Sequence, residues 1–358
     1  MNCTYCFYAD VSRNRAIKSY GTMRTATAHA LINKALENPD NSASFGFQGG
    51  EPTLSCLDFY KDFVSYARSK TKPENLDFTL QTNGYLLSRE WASWLKENDF
   101  LAGISLDGSK HFHDHYRKDK NGRGTYNKVF NNAKLFLTMG VKLNILITVT
   151  DEIARNAKDI YSFFKRNGFR YLQFIPLIDP MECERGTLEY SLTPEIYADF
   201  LITLFREYYR DWKSGDYVSI RYFDNLIFLM LNGYAEDCSM NGQCGSYYTI
   251  EADGSVYPCD FYVRDDYLLG NINTDSFSTL DSRRREVRFV EKSEEINEEC
   301  KCCHYFPLCR GGCKREKEDF RTGKLNKAYL CNAYKSFFST CLPELIEIAE
   351  NERIARNM

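Results

Sequence analysis

The chain has 358 residues, a net charge of −3 and an isoelectric point near 6.1, so no bulk positive charge draws it to nucleic acid or an anionic membrane. Hydrophobic residues make up 43% and aromatics 15%, which predicts a substantial core and excludes a disordered chain. The longest apolar runs, such as Leu226 to Leu231, are too short to span a bilayer, and the first residues do not read as a signal sequence. The expectation is a soluble cytoplasmic protein of two domains, or of one large barrel with an appendage.

From residue 24 to about 180, strand-like runs alternate with helical periodicities. Residues 44–48, 77–81, 101–105, 142–149 and 171–175 read as short buried strands. Residues 25–36, 57–69, 89–97, 126–139 and 152–166 read as helices. Such alternation predicts a parallel sheet, and we expect a half-closed barrel rather than a doubly wound sheet. The loops after the strands carry Gly49-Gly50-Glu51-Pro52, Asn83-Gly84 and Asp107-Gly108, at the mouth where barrel active sites are built. His111, His113 and His115 alternate within a stretch that reads as a loop, and their spacing is taken as incidental. Residues 193–212 and 225–232 read as amphipathic helices.

Beyond Cys238 the texture changes. Asp253-Gly254, flanked by alternating apolar residues from Tyr247 to Tyr257, predicts a hairpin. The acidic run Glu291 to Glu299 is read as a solvated face. The expected organisation is a partial barrel over 1–215, a connecting helix over 216–235, a cysteine-rich domain over 236–335 and a closing helix over 336–358.

Fourteen cysteines stand out. Nothing directs export, so a disulfide framework is not expected, and clusters of thiols in a reducing compartment point to metal. Cys3 and Cys6 lie at the start, and ten others lie between Cys238 and Cys341. Cys300-x2-Cys303-x5-Cys309-x3-Cys313, with Cys331 and the upstream Cys238, Cys244 and Cys259, supplies two sets of four. Four thiolates suit tetrahedral zinc or an iron–sulfur cluster, and spacing alone leaves both open. The separate Cys3-x2-Cys6 favours iron–sulfur. Cys302 is an alternative to Cys303, and Cys56, Cys183 and Cys341 are expected to be ordinary buried thiols.

Several peptides carry a family resemblance. They are Cys3-Thr4-Tyr5-Cys6-Phe7-Tyr8, Phe47-Gln48-Gly49-Gly50-Glu51-Pro52-Thr53, Gln81-Thr82-Asn83-Gly84, Arg117-Lys118-Asp119 and Ser219-Ile220-Arg221-Tyr222-Phe223-Asp224. Cys238-Ser239-Met240-Asn241-Gly242 and the stretch from Asp253 to Tyr262 complete them. On these the chain resembles the radical S-adenosyl-L-methionine (SAM) enzymes with a SPASM auxiliary-cluster domain, most of all the anaerobic sulfatase-maturating enzymes. The resemblance implies a partial (β/α)6 TIM-like barrel with a C-terminal iron–sulfur domain. It implies three 4Fe–4S clusters: a catalytic one on Cys3 and Cys6, a first auxiliary one on Cys238, Cys244, Cys259 and Cys313, and a second on Cys300, Cys303, Cys309 and Cys331. The family's catalytic motif is C-x3-C-x2-C, whose first cysteine would fall before Met1, as would the first barrel strand. The chain is therefore expected to be N-terminally truncated, and as written to lack one ligand of its catalytic cluster.

The same resemblance implies that Tyr5, Gly50, Glu51, Ser105, Arg117 and Ile178 bind the cofactor, that Gln48 and Tyr8 face the peptide, and that Asp260 is the catalytic base. The implied reaction is oxidation of a cysteine or serine side chain to formylglycine, through removal of a Cβ hydrogen, a proton and a second electron. The implied partners are an unfolded sulfatase polypeptide with a C/S-x-P/A-x-R motif and a flavodoxin or ferredoxin-like reductant. Read from the residues alone, Asp260 would instead cap its own turn. Another SPASM peptide maturase and a noncatalytic electron-relay protein are the rival readings.

Overall fold

The computed structural model describes residues 1–356. The chain opens on a two-residue strand, β1 (Asn2–Cys3), which pairs antiparallel with β5 (Arg117–Lys118). The central sheet consists of β2 (Ala43–Phe47), β3 (Leu76–Thr82), β4 (Leu101–Ser105), β6 (Lys142–Val149), β7 (Tyr171–Pro176) and β8 (Ser219–Ile220). All six run parallel and their spatial order follows the sequence. A doubly wound sheet reverses its strand order at a switch point, and this one never does. The partial barrel expected from the sequence is the architecture observed.

The strands alternate in a way that explains the curl. In β3, Leu76, Phe78, Leu80 and Thr82 are buried while Asp77 and Gln81 are exposed. The buried row packs on helices Leu57–Lys70, Arg89–Glu97, Tyr126–Met139 and Ala157–Arg166, through Phe63, Trp91, Phe136 and Phe164. The other face is polar: Ser44 donates to Asp77 across 3.2 Å, and Asn144 donates to Gln173 across 3.0 Å. A parallel sheet covered on both faces would be apolar on both. This one is covered on one face and presents the other to an open interior.

Five strands match the expected ones, and β8 is new. Two residues are too few to show a period, and β8 forms because Ser219 and Ile220 continue the ladder beside Tyr171 and Leu172. The helix expected over 152–166 is two, Asp151–Arg155 and Ala157–Arg166, broken at Asn156. The histidine stretch expected as a loop is a helix, Lys110–Tyr116. Its alternating histidines conceal the periodicity, because only His113 and Tyr116 turn inward.

In the cysteine-rich part, β9 (Thr249–Ile250), β10 (Ser255–Tyr257) and β11 (Gly270–Asn271) form an antiparallel sheet, with the expected Asp253-Gly254 turn between the first two. A small ribbon of β12 (Glu318–Asp319) and β13 (Lys324–Leu325) follows. The acidic run is only partly solvated: Ser293, inside it, is buried. The last helix begins at Cys331 rather than 336 and runs to Arg356, and residues 357–358 of the expected helix lie outside the described residues. Its Phe337 packs 5.6 Å from Phe205 of helix Pro194–Ser214 and 5.6 Å from Phe223. The barrel and this helix therefore share one core. Among the described residues no helix is long and apolar enough to cross a membrane.

Candidate active site

The loop of Cys3 and Cys6 is fixed at both ends. Cys3 pairs with Arg117 in the β1–β5 ladder, Thr4 N donates to Tyr116 O at 3.2 Å, and Cys6 N donates to Cys3 O at 3.2 Å. Helix Phe7–Arg13 starts immediately after Cys6. Arg117 is buried, and its Nε donates to Asp107 Oδ2 at 2.6 Å while Nη2 reaches Asp107 Oδ1 at 3.3 Å and Thr148 Oγ1 at 3.2 Å. The Tyr5 hydroxyl donates to the same Asp107 Oδ2. Arg117 also lies 5.4 Å from the Tyr5 ring centroid. Burial raises the Tyr5 phenol well above its ordinary value, so it stays a donor. A cavity lined by Tyr5, Cys6, Phe7, Ile178, Met181 and Phe261 opens beside this node. Ser105 ends β4 two residues ahead of Asp107.

Asp107 was placed at the barrel mouth from the sequence but was given no role there. Its signal is an Asp-Gly pair directly after a barrel strand. His113 supports it from behind. His113 Nδ1 accepts the Asp107 N–H at 3.4 Å, its Nε2 donates to Thr125 Oγ1 at 3.0 Å, and Thr125 donates on to the Arg117 carbonyl at 2.8 Å. Burial pushes His113 down to about 4, so the ring is neutral and can accept at Nδ1. His111 and His115 point elsewhere, to the two oxygens of Glu152 at 3.0 and 2.9 Å. His111 and His115 thus share one carboxylate at the surface, while His113 faces the core.

The Gly49-Gly50 turn has φ of +80° and +55°, a region that favours glycine. A Cβ on Gly50 would meet no protein atom within 4 Å, so its main chain faces open space. Glu51 turns inward instead. Its Oε1 accepts from Thr53 N at 3.1 Å and Thr82 Oγ1 at 2.6 Å, and its Oε2 accepts from Asn83 N at 2.8 Å. The carboxylate thus staples the Gly49-Gly50 loop to the Thr82–Gly84 loop.

A third grouping joins the two parts of the chain. Gln48 Nε2 donates to Asp260 Oδ2 at 2.9 Å, and Phe261 N donates to Asp260 Oδ1 at 3.1 Å. Burial raises the Asp260 carboxyl, against the hydrogen bonds from Cys259, Phe261 and Gln48. Tyr8 sits close by: burial raises its phenol, Asp260 adds to that, and the Gly49 main chain opposes it. Phe7 packs 4.8 Å from Phe261. Gln48 and Tyr8, expected to face the peptide, thus lie beside Asp260.

The eight C-terminal cysteines are expected in two sets of four. Burial raises Cys259 and Cys313, with Asp260 and then Cys313 adding to the first, and Glu316, Cys238 and Cys244 adding to the second. Cys238 is pushed up to about 11 by burial, Asp237 and Cys244. The second set lines a single cavity: Cys300, Cys303, Cys309 and Cys331, with Tyr305, Tyr334 and Lys335. Cys303 lines it, while Cys302 is exposed. Buried thiols with raised pKa values remain protonated unless a metal holds the thiolate. Among the described residues no three His, Cys, Asp or Glu converge as one metal ion requires. Cys341 is buried as expected and Cys183 half-buried, but Cys56 is exposed, because it caps helix Leu57–Lys70 from outside and leaves burial to Leu57.

Family models match at both ends: the radical SAM superfamily over residues 1–164, and an iron–sulfur cluster-binding domain (SPASM) over 238–304. The cysteine-type anaerobic sulfatase-maturating enzyme of Clostridium novyi is 42% identical over 351 residues, covering 98% of this chain and 94% of that one. The chain belongs to the anaerobic sulfatase-maturating enzymes. The serine-type enzyme of Bacteroides thetaiotaomicron is 30% identical, covering 95% of this chain and 86% of that one. The solved structure of native anSMEcpe with bound AdoMet and a Cp18Cys peptide superposes with a TM-score of 0.92 at 42% identity, over 98% of this chain and 95% of that one. As a radical SAM maturase, the chain is an oxidoreductase that uses 4Fe–4S clusters and S-adenosyl-L-methionine.

Proposed function

We propose that this maturase oxidises a cysteine of a sulfatase polypeptide to Cα-formylglycine. The hydrogen bond from Gln48 to Asp260, with Tyr8 beside it, carries the reading. It gathers an amide, a phenol and a carboxylate next to Cys259, at the junction of barrel and cysteine-rich part. The cofactors, when bound, supply one-electron hydrogen-atom abstraction and uptake of the second electron.

The chain's own residues do the rest. Tyr5, Gly50, Ser105, Arg117 and Ile178 bind S-adenosyl-L-methionine, with Arg117 held by Asp107. Glu51 acts by ordering the Gly49-Gly50 loop. Cys3 and Cys6 serve the catalytic cluster, Cys238, Cys244, Cys259 and Cys313 the first auxiliary cluster, and Cys300, Cys303, Cys309 and Cys331 the second. Asp260 takes the proton released from the target side chain; its raised pKa suits a general base. Gln48 orients that carboxylate, and Gln48 and Tyr8 face the peptide.

The cysteine-type choice follows the higher identity to the cysteine-type relative. The substrate is an unfolded C-x-P/A-x-R segment, and the electron source is a flavodoxin or ferredoxin-like carrier in the cytoplasm. We place the barrel in 1–215, the connecting helix in 216–235, the auxiliary-cluster domain in 236–335 and the closing helix beyond.

The test is anaerobic incubation of the protein, with its catalytic cluster first verified by iron content and EPR, with S-adenosyl-L-methionine, a reductant and a Cys-x-Pro-x-Arg peptide, and the product is read by mass spectrometry. Formylglycine is expected. Cofactor cleavage with an unchanged peptide would overturn the reading and indicate a different peptide substrate.

A further inference from the structure

Directly after Cys313, four consecutive charged residues are buried: Lys314, Arg315, Glu316 and Lys317, all 8% exposed or less. Buried charge is costly unless it is paired. Lys314 pairs with Glu318 at 2.5 Å and lies 4.2 Å from the Tyr262 ring centroid. Arg315 donates to the Asp179 carbonyl at 2.8 Å, and Glu316 Oε1 accepts from the Tyr334 hydroxyl at 3.3 Å.

Lys317, like Arg315, has no carboxylate partner among the described residues. Its ammonium donates to main-chain carbonyls only, Ser293 at 2.5 Å and Glu295 at 3.5 Å. Among the described residues it has no carboxylate within ion-pair distance. Hydrogen bonds tie it to two of the cysteines. The Ser293 hydroxyl accepts the Cys244 N–H at 2.8 Å, and the Lys317 N–H donates to the Cys313 carbonyl at 3.2 Å. Burial lowers the pKa of the ammonium, and Cys244, Cys313 and Cys300 act to raise it. Two of those thiols belong to one set of four and the third to the other. A cation with no carboxylate partner thus sits beside the first set of four and within electrostatic reach of Cys300 of the second.

A 4Fe–4S cluster on four thiolates becomes more negative by one charge on reduction, and nearby charge and hydrogen bonding set its potential. We propose that Lys317 is the shared counter-charge of the two auxiliary clusters, raising both reduction potentials by favouring their reduced states. The proposal rests on the cluster assignment above. It gives the sequence Lys314-Arg315-Glu316-Lys317 a role in the uptake of electrons from the substrate.

The experiment is a redox-poised EPR titration of the reconstituted full chain and of Lys317→Gln, Lys317→Arg and Lys335→Gln. In Lys317→Gln both auxiliary midpoints should fall, leaving each cluster about tenfold less reduced at a fixed potential, or about 59 mV for a one-electron couple. Lys317→Arg should hold both midpoints. Lys335 lines only the second cavity, so Lys335→Gln should lower that midpoint alone. If Lys317→Gln assembles poorly, Lys317→Met keeps the stem without the charge and decides the matter. An iron-replete neutral variant in which neither midpoint moves, or only one, overturns the proposal. A wild-type chain that takes up no auxiliary iron overturns the cluster assignment and the proposal with it, a result visible in the metal content alone.

Discussion

Arg117 donates its Nε–H to Asp107 across 2.6 Å, and the oxygen that accepts it also accepts the hydroxyl of Tyr5. One buried carboxylate therefore fixes two residues assigned to the cofactor. Removing one partner of such a pair leaves the other charge stranded. Asp107→Ala should destabilise the fold by about 3–5 kcal/mol, measured by denaturant unfolding. Asp107→Asn, which keeps an acceptor, should cost less, and should weaken S-adenosyl-L-methionine binding by roughly tenfold or more, read by anaerobic calorimetry. Unchanged binding in a folded Asp107→Asn would show that Arg117 needs no anchoring.

Asp260→Asn keeps the shape and the acceptor for Gln48 but loses the basic carboxylate. General-base contributions are typically about 10²–10⁴-fold. Peptide oxidation should drop by that order while S-adenosyl-L-methionine is still cleaved, with both products followed by mass spectrometry. An equal loss of both would assign Asp260 to the structure of the first cysteine set instead.

Cys302 and Cys303 are neighbours with opposite environments, one exposed and one lining the second cavity. Cys303→Ser should cost the iron of one cluster, and Cys302→Ser should cost none. Iron and sulfide analysis of the two variants after identical reconstitution separates them. The reverse result would exchange their roles.

Much of this was legible because the signals were local. Five of the six sheet strands are long enough to show a pattern, and the cysteines are marked by their spacing, whereas Gln48 and Asp260 were singled out only through the family resemblance. β8 was not legible, since its two residues form a strand only by continuing an existing ladder. Asp107 and His113 were left without a role for a related reason. Their importance lies in contacts across the fold, and a histidine among alternating histidines looks like surface until one of them turns inward. The burial of Lys314 to Lys317 was least visible of all, because four adjacent charges normally read as solvated.

His113 makes the pH response of the fold predictable. Its unfolded value is near 6.5 and burial lowers the folded value to about 4, so the folded state binds fewer protons between the two. The stabilisation is fully present above pH 6.5 and is lost as the pH falls toward 4, on the order of 3 kcal/mol in all. His113→Gln should be less stable at neutral pH and show a flatter stability profile over that window. Urea titrations at a series of pH values check this, and an equally steep profile in the variant would place the titration on another group.

The buried run from Lys314 to Lys317 has a consequence for biogenesis. Lys314 is paired with Glu318, but Arg315 and Lys317 are enclosed without a carboxylate partner where, before metal arrives, the surrounding thiols are protonated and neutral. The polypeptide alone must bear the desolvation of that excess positive charge, and insertion of anionic clusters relieves it. Metal binding then supplies folding free energy, so the cysteine-rich part should acquire its protease resistance only on maturation. A cell short of iron would accumulate not an idle, folded maturase but a chain open to proteolysis, and its abundance would follow the iron supply.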